Sequence, residues 1–312
     1  MNVYEIITEK IIQSLEQGVI PWRRPWKVAG HPRNFISTKP YRGINVLLLG
    51  MQGYASPYWL TYKQAAERGA HVRKGEKSTP IVFWKVETTS KPKEDGEGME
   101  RDRRFTLRYY NVFNLEQTTL APADVAAVQP LASCSAIVDA WQQKPRLILD
   151  DPTVSQAEYF PELDTVAMPL MSRFVSSEHY YAVLFHELIH STGHPSRLNR
   201  EGITNCDKFA SERYSKEELV AEIGSAFLCG HTGINKPEIE QQTTAYLQNW
   251  IAALKGDSRL VVSAAAQAQH AADMILGTHA EEEPKDTEQL PEATTAPEAA
   301  FPPQPEPQGL CA

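Results

Sequence analysis

Three histidines and one glutamate lie within nine positions of the segment YYAVLFHELIHSTGHPSRL, residues 180–198. His186 and His190 are four positions apart, so on a helix both imidazoles face the same side and can bind one metal ion. Glu187 lies between them and can reach a water molecule on that ion. A metal ion lowers the pKa of its bound water, and a neighbouring carboxylate then serves as general base. The spacing therefore indicates metal-assisted hydrolysis.

This HExxH pattern is that of the zincin metallopeptidases, in which two imidazoles hold zinc. The alternative interpretation is a helix with two hydrogen-bonded histidines and a surface glutamate. That alternative is unfavourable because large apolar residues flank the motif, and polar side chains are costly to bury among them without a ligand. We expect Ser176 or Ser177 to cap the start of the helix, and Gly193 to end it in a left-handed conformation.

A zinc site of this kind requires a third protein ligand. In the metzincin pattern HExxHxxGxxH the third histidine would stand at position 196, which is a serine, and His194 comes two residues early. Glu218 fits the N3 position of a capping box that begins at Ser215. Glu222 lies in an apolar stretch of a predicted helix, where a buried carboxylate needs a partner. We therefore predict Glu222 as the third ligand of zinc, or of manganese or another divalent metal.

Other residues can support this centre. Glu218, one helical turn before Glu222, can orient a histidine ligand. His194 or Tyr214 can stabilise the oxyanion of a tetrahedral intermediate. The segment DTVAMP, residues 164–169, is either a sheet edge along which an extended peptide binds or a plain core strand. Two histidines with a downstream glutamate in an ExxxA pattern resemble the gluzincin arrangement.

The N-terminal segment at residues 18–45 alternates aromatic rings with cations, and prolines at positions 21, 25, 32 and 40 keep it extended. Stacking rings combined with cations are typical of proteins that bind single-stranded nucleic acid, and a paired duplex would not expose its base faces to them. The alternative interpretation is that the rings fill a small core and the arginines lie on the surface. The candidate DNA-binding residues are Trp22, Arg23, Arg24, Trp26, Arg33, Tyr41, Arg42, Trp59, Tyr62 and Lys63.

The charge is distributed unevenly along the chain. Residues 1–110 carry 19 Lys and Arg against 11 Asp and Glu, residues 111–277 carry 11 against 20, and the last 35 residues carry one against eight. The basic N-terminal part favours a polyanion partner for that part alone.

Four scattered cysteines indicate neither a disulfide framework nor a cysteine-rich zinc site. The chain shows no apolar leader and no run long enough to cross a membrane, so we expect a cytoplasmic protein without a membrane partner.

The elements predicted along the chain favour an α+β protein with two domains. Residues 1–120 are predicted to form a small nucleic-acid-binding domain with a hairpin loop at 89–102, residues 121–134 a linker, and residues 135–277 a zincin-like domain. The remaining residues, 278–312, are rich in Pro, Glu, Ala and Thr and nearly free of large apolar side chains, so we expect them to be disordered.

Several segments resemble one known family. IPWRRPW, KPYRGINVLLL, YWLTYKQAAERGAHVRKGEK and YNVFN resemble the N-terminal domain of the ArdC antirestriction proteins of conjugative plasmids. FHELIHSTGHPSRLNR and YSKEELVAEIGSAFL resemble the zincin-like domain that follows it in that family. The resemblance covers residues 1–275. It implies a module for single strands, without sequence preference, joined to a metallopeptidase-like domain that protects incoming plasmid DNA from restriction.

Three hypotheses about function follow. The leading hypothesis is an antirestriction protein that binds single-stranded DNA and carries a zinc metallopeptidase, whose targets are a host restriction enzyme or other DNA-bound proteins. The second keeps the DNA and the metal but assigns protection to coating the strand or blocking the restriction enzyme, with a structural or vestigial metal site. The third is a repair protease that trims proteins crosslinked to DNA.

Overall fold

The structure is a computed structural model that describes residues 2–22, 31–92, 99–120, 130–204, 212–234 and 244–278. Of residues 84–92, 99–105, 130–131, 212–215 and 244–246 it describes the backbone. The first domain contains α1 (Val3–Glu16), β1 (Arg33–Asn34), α2 (Ile44–Gly50), β2 (Tyr58–Leu60), α3 (Tyr62–Glu67), β3 (Thr79–Pro92) and β4 (Met99–Asn114). The second contains α4 (Pro130–Ala140), β5 (Arg146–Asp151), β6 (Glu158–Phe160), β7 (Thr165–Pro169), α5 (Ser177–Thr192), α6 (Glu201–Thr204), α7 (Glu212–Thr232), α8 (Thr244–Gly256) and α9 (Leu260–Leu276). The predicted α+β class with two domains is confirmed.

Helix α1 illustrates how local sequence determines these elements. Asn2 and Glu5 form a capping box, in which the Asn2 side chain accepts from the Glu5 N–H and the Glu5 carboxylate accepts from the Asn2 N–H. Ile7, Ile11 and Leu15 recur at helical spacing and are fully buried. The helix therefore begins at a polar cap and packs one apolar face inward.

The first domain is built on a four-stranded sheet with the order β1-β2-β4-β3. Strands β3 and β4 form a long antiparallel hairpin, paired from Thr79 opposite Val112 to Pro92 opposite Met99. The predicted hairpin loop at 89–102 was too long, because pairing continues through most of that segment. Its tip, 93–98, lies outside the described residues.

The second domain has a three-stranded sheet with the order β5-β7-β6. The DTVAMP segment forms β7, which is central and buried along its whole length. Strand β6 pairs antiparallel with β7 and is the edge strand next to α5. Of the two interpretations of DTVAMP, the core strand is therefore correct.

The two domains share one core. A single cluster of buried apolar side chains joins α1 and α2 of the first domain to α5, α7 and α9 of the second. Polar contacts cross the same boundary, because the Thr8 hydroxyl donates to the Ser258 carbonyl at 2.6 Å and the Gly43 N–H donates to the Gln269 side chain at 2.9 Å. Residues Met1–His279 accordingly form one compact unit.

The predicted linker and tail fall largely outside the described residues. Residues 121–129 of the linker are not described, and α4 begins at Pro130, inside the predicted linker. Of the tail, Thr278 alone is described. Among the described helices, none has the length and apolar character to cross a membrane.

Candidate metal centre and nucleic-acid-binding surface

Helix α5 carries the HExxH motif on a well-anchored scaffold. The Ser176 hydroxyl accepts from the His179 N–H at 3.1 Å, which confirms the predicted N-cap. One side of the helix is fully buried in the core, through Leu184, Phe185, Leu188 and Ile189. The apolar side of the helix is therefore anchored in the core, and the polar residues of the motif lie on its other side.

Gly193 ends this helix in a right-handed conformation, with φ −77°, and not in the predicted left-handed one. Its role is steric. A Cβ at this position would lie 2.6 Å from Ile203 Cγ1 and 3.0 Å from Arg200 Nη2. The glycine is needed so that the segment after α5 can fold back against the end of the helix.

Three ligand groups converge on the polar side of α5. His186 Nε2 and His190 Nε2 lie 3.1 Å apart. Glu218, on α7, places its carboxylate oxygens 3.5 Å from His186 Nε2 and 3.4 Å from His190 Nε2. These three residues form the set, among the residues that the structure describes, whose ligand atoms all lie within 4.8 Å of one another. Two imidazoles and a carboxylate are a donor set that suits zinc and other divalent transition metals.

The structure differs from the sequence prediction at the third ligand. The convergent carboxylate belongs to Glu218, whereas Glu222 is buried on the same helix and is not part of the set. The prediction set Glu218 aside as a capping residue. Helix α7 begins at Glu212, however, so Ser215 already lies inside the helix and no capping box forms there. Glu218 is thus free of a capping role and faces the histidines.

Glu217, next to Glu218, faces the other nitrogen of His190. Its Oε1 lies 3.3 Å from His190 Nδ1. Arg200 binds the same carboxylate through two hydrogen bonds, from Nε to Oε2 at 2.9 Å and from Nη2 to Oε1 at 2.6 Å. All three side chains are buried. His190 is therefore held between two carboxylates, one on each ring nitrogen.

This arrangement favours positive charge at the centre. Burial by itself lowers the pKa of His190, but hydrogen bonds with Glu217 and Glu218 raise it to about 10. Burial by itself raises the pKa of Glu218, yet its hydrogen bonds with His186 and His190 hold it well below its usual range. The site has the electrostatics of a cation site, in which a metal ion can take the place of a proton.

Glu187 has a defined partner as well. Its Oε2 accepts a hydrogen bond from the Tyr159 N–H at 2.9 Å. Tyr159 lies on the edge strand β6, and its hydroxyl donates to Asp164 at 2.9 Å. Asp164 in turn forms an ion pair with Arg197, which also donates to the Ser191 carbonyl at 2.8 Å. The strand edge beside the motif is thereby tied to the end of α5.

Neither residue predicted to stabilise the oxyanion contacts the candidate metal centre among the contacts that the structure describes. His194 Nδ1 lies 2.7 Å from the Ser196 hydroxyl and accepts from the Ser196 N–H at 3.2 Å, so it stabilises its own turn. The side chain of Tyr214 lies outside the described residues. The predicted supporting role of Glu218 is corrected too, because Glu217 contacts the histidine ring from behind and Glu218 belongs to the convergent set.

Two of the predicted DNA-binding aromatics are core residues. Trp22 is 1 % exposed and contacts Trp250 edge to face, and Trp59 is 2 % exposed and packs against Leu49 and Val112. A ring so deeply buried cannot stack on a base, so the prediction was wrong for both. Tyr41 also packs mainly against the Trp59 cluster, and its hydroxyl lies 3.5 Å from Asn34. For these residues the alternative interpretation, aromatic rings that fill a small core, is correct.

The remaining predicted DNA-binding residues lie in different environments. Arg42 forms an ion pair with Asp273 of α9, so its charge is used in holding the domains together. Arg33 lies half-buried on β1. Tyr62 is 62 % exposed, and the Lys63 side chain beside it is equally exposed, so both remain available to a ligand. The other three predicted residues, Arg23, Arg24 and Trp26, lie outside the described residues.

Comparison with known proteins identifies the family. The family model for the N-terminal domain of anti-restriction factor ArdC matches residues 1–113, and the model for a zincin-like metallopeptidase matches residues 141–267. The crystal structure of the antirestriction ArdC protein from plasmid R388, in its metal-free form, is 36 % identical, with a TM-score of 0.69 over 89 % of this chain and 98 % of that chain. This chain belongs to the ArdC family of antirestriction proteins.

Two further proteins are similar to this chain. The Mn(II)-bound structure of the R388 ArdC protein is 35 % identical, with a TM-score of 0.67 over 91 % of this chain and 100 % of that chain. DNA primase TraC of Escherichia coli is 37 % identical over 300 residues, which are 88 % of this chain and 27 % of the primase. The chain thus spans about a quarter of the length of that relative.

Three residues of this ArdC family member were not found from the sequence. Glu217 and Arg200 are 17 positions apart and meet only in the fold, and Tyr159 contributes a backbone N–H, which every non-proline residue has. A signal did exist for Glu217. Two adjacent glutamates, downstream of HExxH and directly before a mainly apolar stretch of a helix, suggest that both lie near a polar site.

Proposed function

We propose that this antirestriction protein binds single-stranded DNA without sequence preference through its first domain and hydrolyses peptide bonds at a metal centre in its second. Both activities would protect incoming plasmid DNA from host restriction during conjugation. The observation that carries the proposal is the convergence of His186, His190 and Glu218, with Glu187 beside them.

The metal ligands in this proposal are His186, His190 and Glu218. Imidazole nitrogens and a carboxylate oxygen suit zinc, and manganese is the alternative that the Mn(II)-bound ArdC relative supports. Three protein ligands leave a position for water and substrate, as a catalytic site requires. A bound divalent ion supplies Lewis acidity to the scissile carbonyl and lowers the pKa of the attacking water.

The residues of the chain perform the remaining steps. Glu187 accepts a proton from the attacking water while the water oxygen bonds to the carbonyl carbon. It later delivers that proton to the leaving amine as the C–N bond breaks. The Tyr159 N–H holds Glu187 Oε2, which leaves Oε1 for the proton. Strand β6 is an edge of the sheet that the structure describes, so an extended polypeptide would pair with it next to Glu187, apart from the Tyr159 N–H that Glu187 already holds.

The DNA surface in this proposal is the face formed by α3 and the loop after it. Residues 61–78 carry five Lys and Arg against two Glu. Those cations are exposed, at Lys63, Arg68, Arg73, Lys74 and Lys77. Tyr62, on the same helix, offers an exposed ring on which a base can stack. Cations with a stacking ring suit a single strand, because the base faces of a duplex are covered.

Comparison of Glu187→Ala with the wild type for protection of a transferred plasmid tests the peptidase. We expect the variant to bind metal and single strands normally and to lose protection. Full protection by the variant would refute an essential peptidase and favour a protein that coats the strand or blocks the restriction enzyme. Cleavage of proteins crosslinked to DNA, stimulated by single strands, would instead favour a repair protease.

The DNA surface is tested by the affinity for a labelled single-stranded oligonucleotide. We expect Tyr62→Ala to weaken binding about 5- to 100-fold, since stacking contributes about 1–3 kcal/mol per base. The affinity of the wild type should also fall as salt rises, because bound counterions are released from the strand. Tyr4→Ala serves as the control. Tyr4 lies on α1, outside the proposed surface, and its ring packs beneath Arg259. Unchanged affinity in Tyr62→Ala would place the strand elsewhere.

A further inference from the structure

We infer that Arg200 is a positioning residue of the metal centre, which acts through Glu217 on His190. Arg200 touches neither the ligand atoms nor a substrate site, and its effect on the ion is indirect. The inference rests on the proposed metal site at His186, His190 and Glu218. It assigns to the segment after α5 the task of keeping one ligand in its binding orientation.

The first link is the pairing of Arg200 with Glu217. Two parallel hydrogen bonds, of 2.9 and 2.6 Å, join the guanidinium to both carboxylate oxygens. A forked pair of this kind fixes the carboxylate in direction as well as in position. It also neutralises Glu217 inside the core, so that Glu217 stays beside the centre and leaves the ligand position to Glu218.

The second link is the contact between Glu217 and His190. Oε1 of Glu217 lies 3.3 Å from Nδ1, while Nε2 of the same ring faces His186 and Glu218. A carboxylate on Nδ1 holds the proton on that nitrogen, which leaves the lone pair of Nε2 for a metal ion. The orientation and tautomer of His190 therefore depend on Glu217.

Arg200 also fixes the backbone that carries this histidine. Its Nη2 donates to the Ile189 carbonyl at 2.8 Å and lies 3.4 Å from the His190 carbonyl, and its Nη1 donates to the Thr192 hydroxyl at 2.6 Å. Carbonyls in the last turn of a helix lose their regular helical partners, and here the guanidinium gives the Ile189 carbonyl a donor. Arg200 thus holds both the ring of His190, through Glu217, and the turn on which it stands.

Two glycines make room for this arrangement. A Cβ at Gly193 would lie 3.0 Å from Arg200 Nη2, and a Cβ at Gly202 would lie 2.7 Å from Glu217 Cβ. A side chain at Gly202 would displace Glu217, and one at Gly193 would displace Ile203 and press against Arg200. Gly202→Ala therefore perturbs Glu217 without altering any charged group or any proposed ligand.

Arg197 provides a matched comparison. It lies on the same segment, its side chain is as deeply buried as that of Arg200, and it also binds a carboxylate. Its partner is Asp164, at the turn between β6 and β7, and not a residue in contact with a histidine of the motif. If Arg200 acted merely by stabilising the fold, the two arginines would have equivalent effects on the metal site.

The test measures zinc affinity by competition with a fluorescent chelator, using the full chain. We expect Glu217→Gln and Arg200→Lys each to weaken zinc binding about 10- to 100-fold without changing the stoichiometry. The double variant should be no weaker than the more severe single variant, because Arg200 acts through Glu217. Arg197→Lys should keep the wild-type zinc affinity. With Co(II) as probe, the visible absorption bands should shift in Glu217→Gln and Arg200→Lys and stay unchanged in Arg197→Lys.

The outcomes separate this inference from the proposed function. Failure of the wild type to bind zinc or Co(II) would refute the metal centre itself. Zinc binding by the wild type, with unchanged affinity and Co(II) spectrum in folded Glu217→Gln and Arg200→Lys, would overturn the positioning role alone, as would additive effects in the double variant. If Arg200→Lys does not fold, Gly202→Ala takes its place, and normal zinc binding by both Gly202→Ala and Glu217→Gln overturns the inference.

Discussion

The identity of the third ligand is the sharpest prediction, because two glutamates one helical turn apart compete for it. Glu218 lies within 3.5 Å of both histidines, and Glu222 is buried outside the convergent set. We expect Glu218→Gln to lose most of its metal affinity and Glu222→Gln to keep it. Both changes remove one negative charge from α7 and conserve side-chain volume, so each variant controls for the other.

The magnitude follows from the number of ligands. Structural zinc sites with four protein ligands bind with about 10–16 kcal/mol, or about 3 kcal/mol per ligand. Loss of one ligand should therefore weaken binding about 100-fold or more. At a free metal concentration of about 100 times the wild-type Kd, binding stabilises the wild type by about 2.7 kcal/mol and Glu218→Gln by about 0.4 kcal/mol.

Thermal unfolding with and without metal measures this difference. At about 2–4 °C per kcal/mol, the metal should raise the Tm of the wild type and of Glu222→Gln by about 5–10 °C, and that of Glu218→Gln by about 1–2 °C. Each comparison is made within one variant, so a change in intrinsic stability does not affect it. A full metal-induced shift in Glu218→Gln, with loss of the shift in Glu222→Gln, would refute the ligand assignment made from the geometry.

Four further predictions concern stability. Arg42→Ala leaves the nearly buried Asp273 without its cation, and we expect a loss of about 1–3 kcal/mol in chemical unfolding with little change in DNA affinity. Trp59→Ala removes a ring from a closed core and should cost about 3–5 kcal/mol in the same assay, whereas a surface ring would cost far less. Without metal, the stability contributed by His190 is present below its ordinary pKa of 6.5 and is lost as pH rises toward its raised pKa of about 10, so Tm in EDTA should fall over that interval. The contribution of Glu217, whose pKa is lowered by His190 and Arg200 despite burial, is present above its ordinary value of 4.5 and is lost on acidification below it.

Local signals in the sequence were sufficient for part of the site. His186, Glu187 and His190 follow from helical periodicity alone, since spacing within one helix fixes which side chains share a face. Ser176 is likewise a local signal, because a cap acts within one turn. The third ligand required the exact start of α7, and helix boundaries are the least certain feature of a sequence pattern. An error of four residues there was enough to move the prediction from Glu218 to Glu222.

Where the predictions of DNA-binding residues were wrong, the reason is different. Tryptophan and arginine serve equally well in a core, in an ion pair or on a binding surface, so their types do not reveal their environment. Trp22 contacts Trp250, Trp59 packs against Val112, and Arg42 pairs with a residue 231 positions away. Contacts at such separations depend on the packing of whole domains, which periodicity and composition do not encode.

The Arg42–Asp273 pair also changes how the two domains relate to each other. The sequence suggested a DNA-binding module tethered to a peptidase, which would let each part move and act alone. The shared core, together with Gly43 held by Gln269 on α9, makes them one compact unit, and α9 packs against both helices that carry the convergent residues, α5 and α7. A strand bound near α3 would therefore lie at a fixed distance and direction from Glu187. In the proposed function, selectivity for proteins on DNA would follow from this geometry, because only chains held at that distance from the strand would reach the edge of β6.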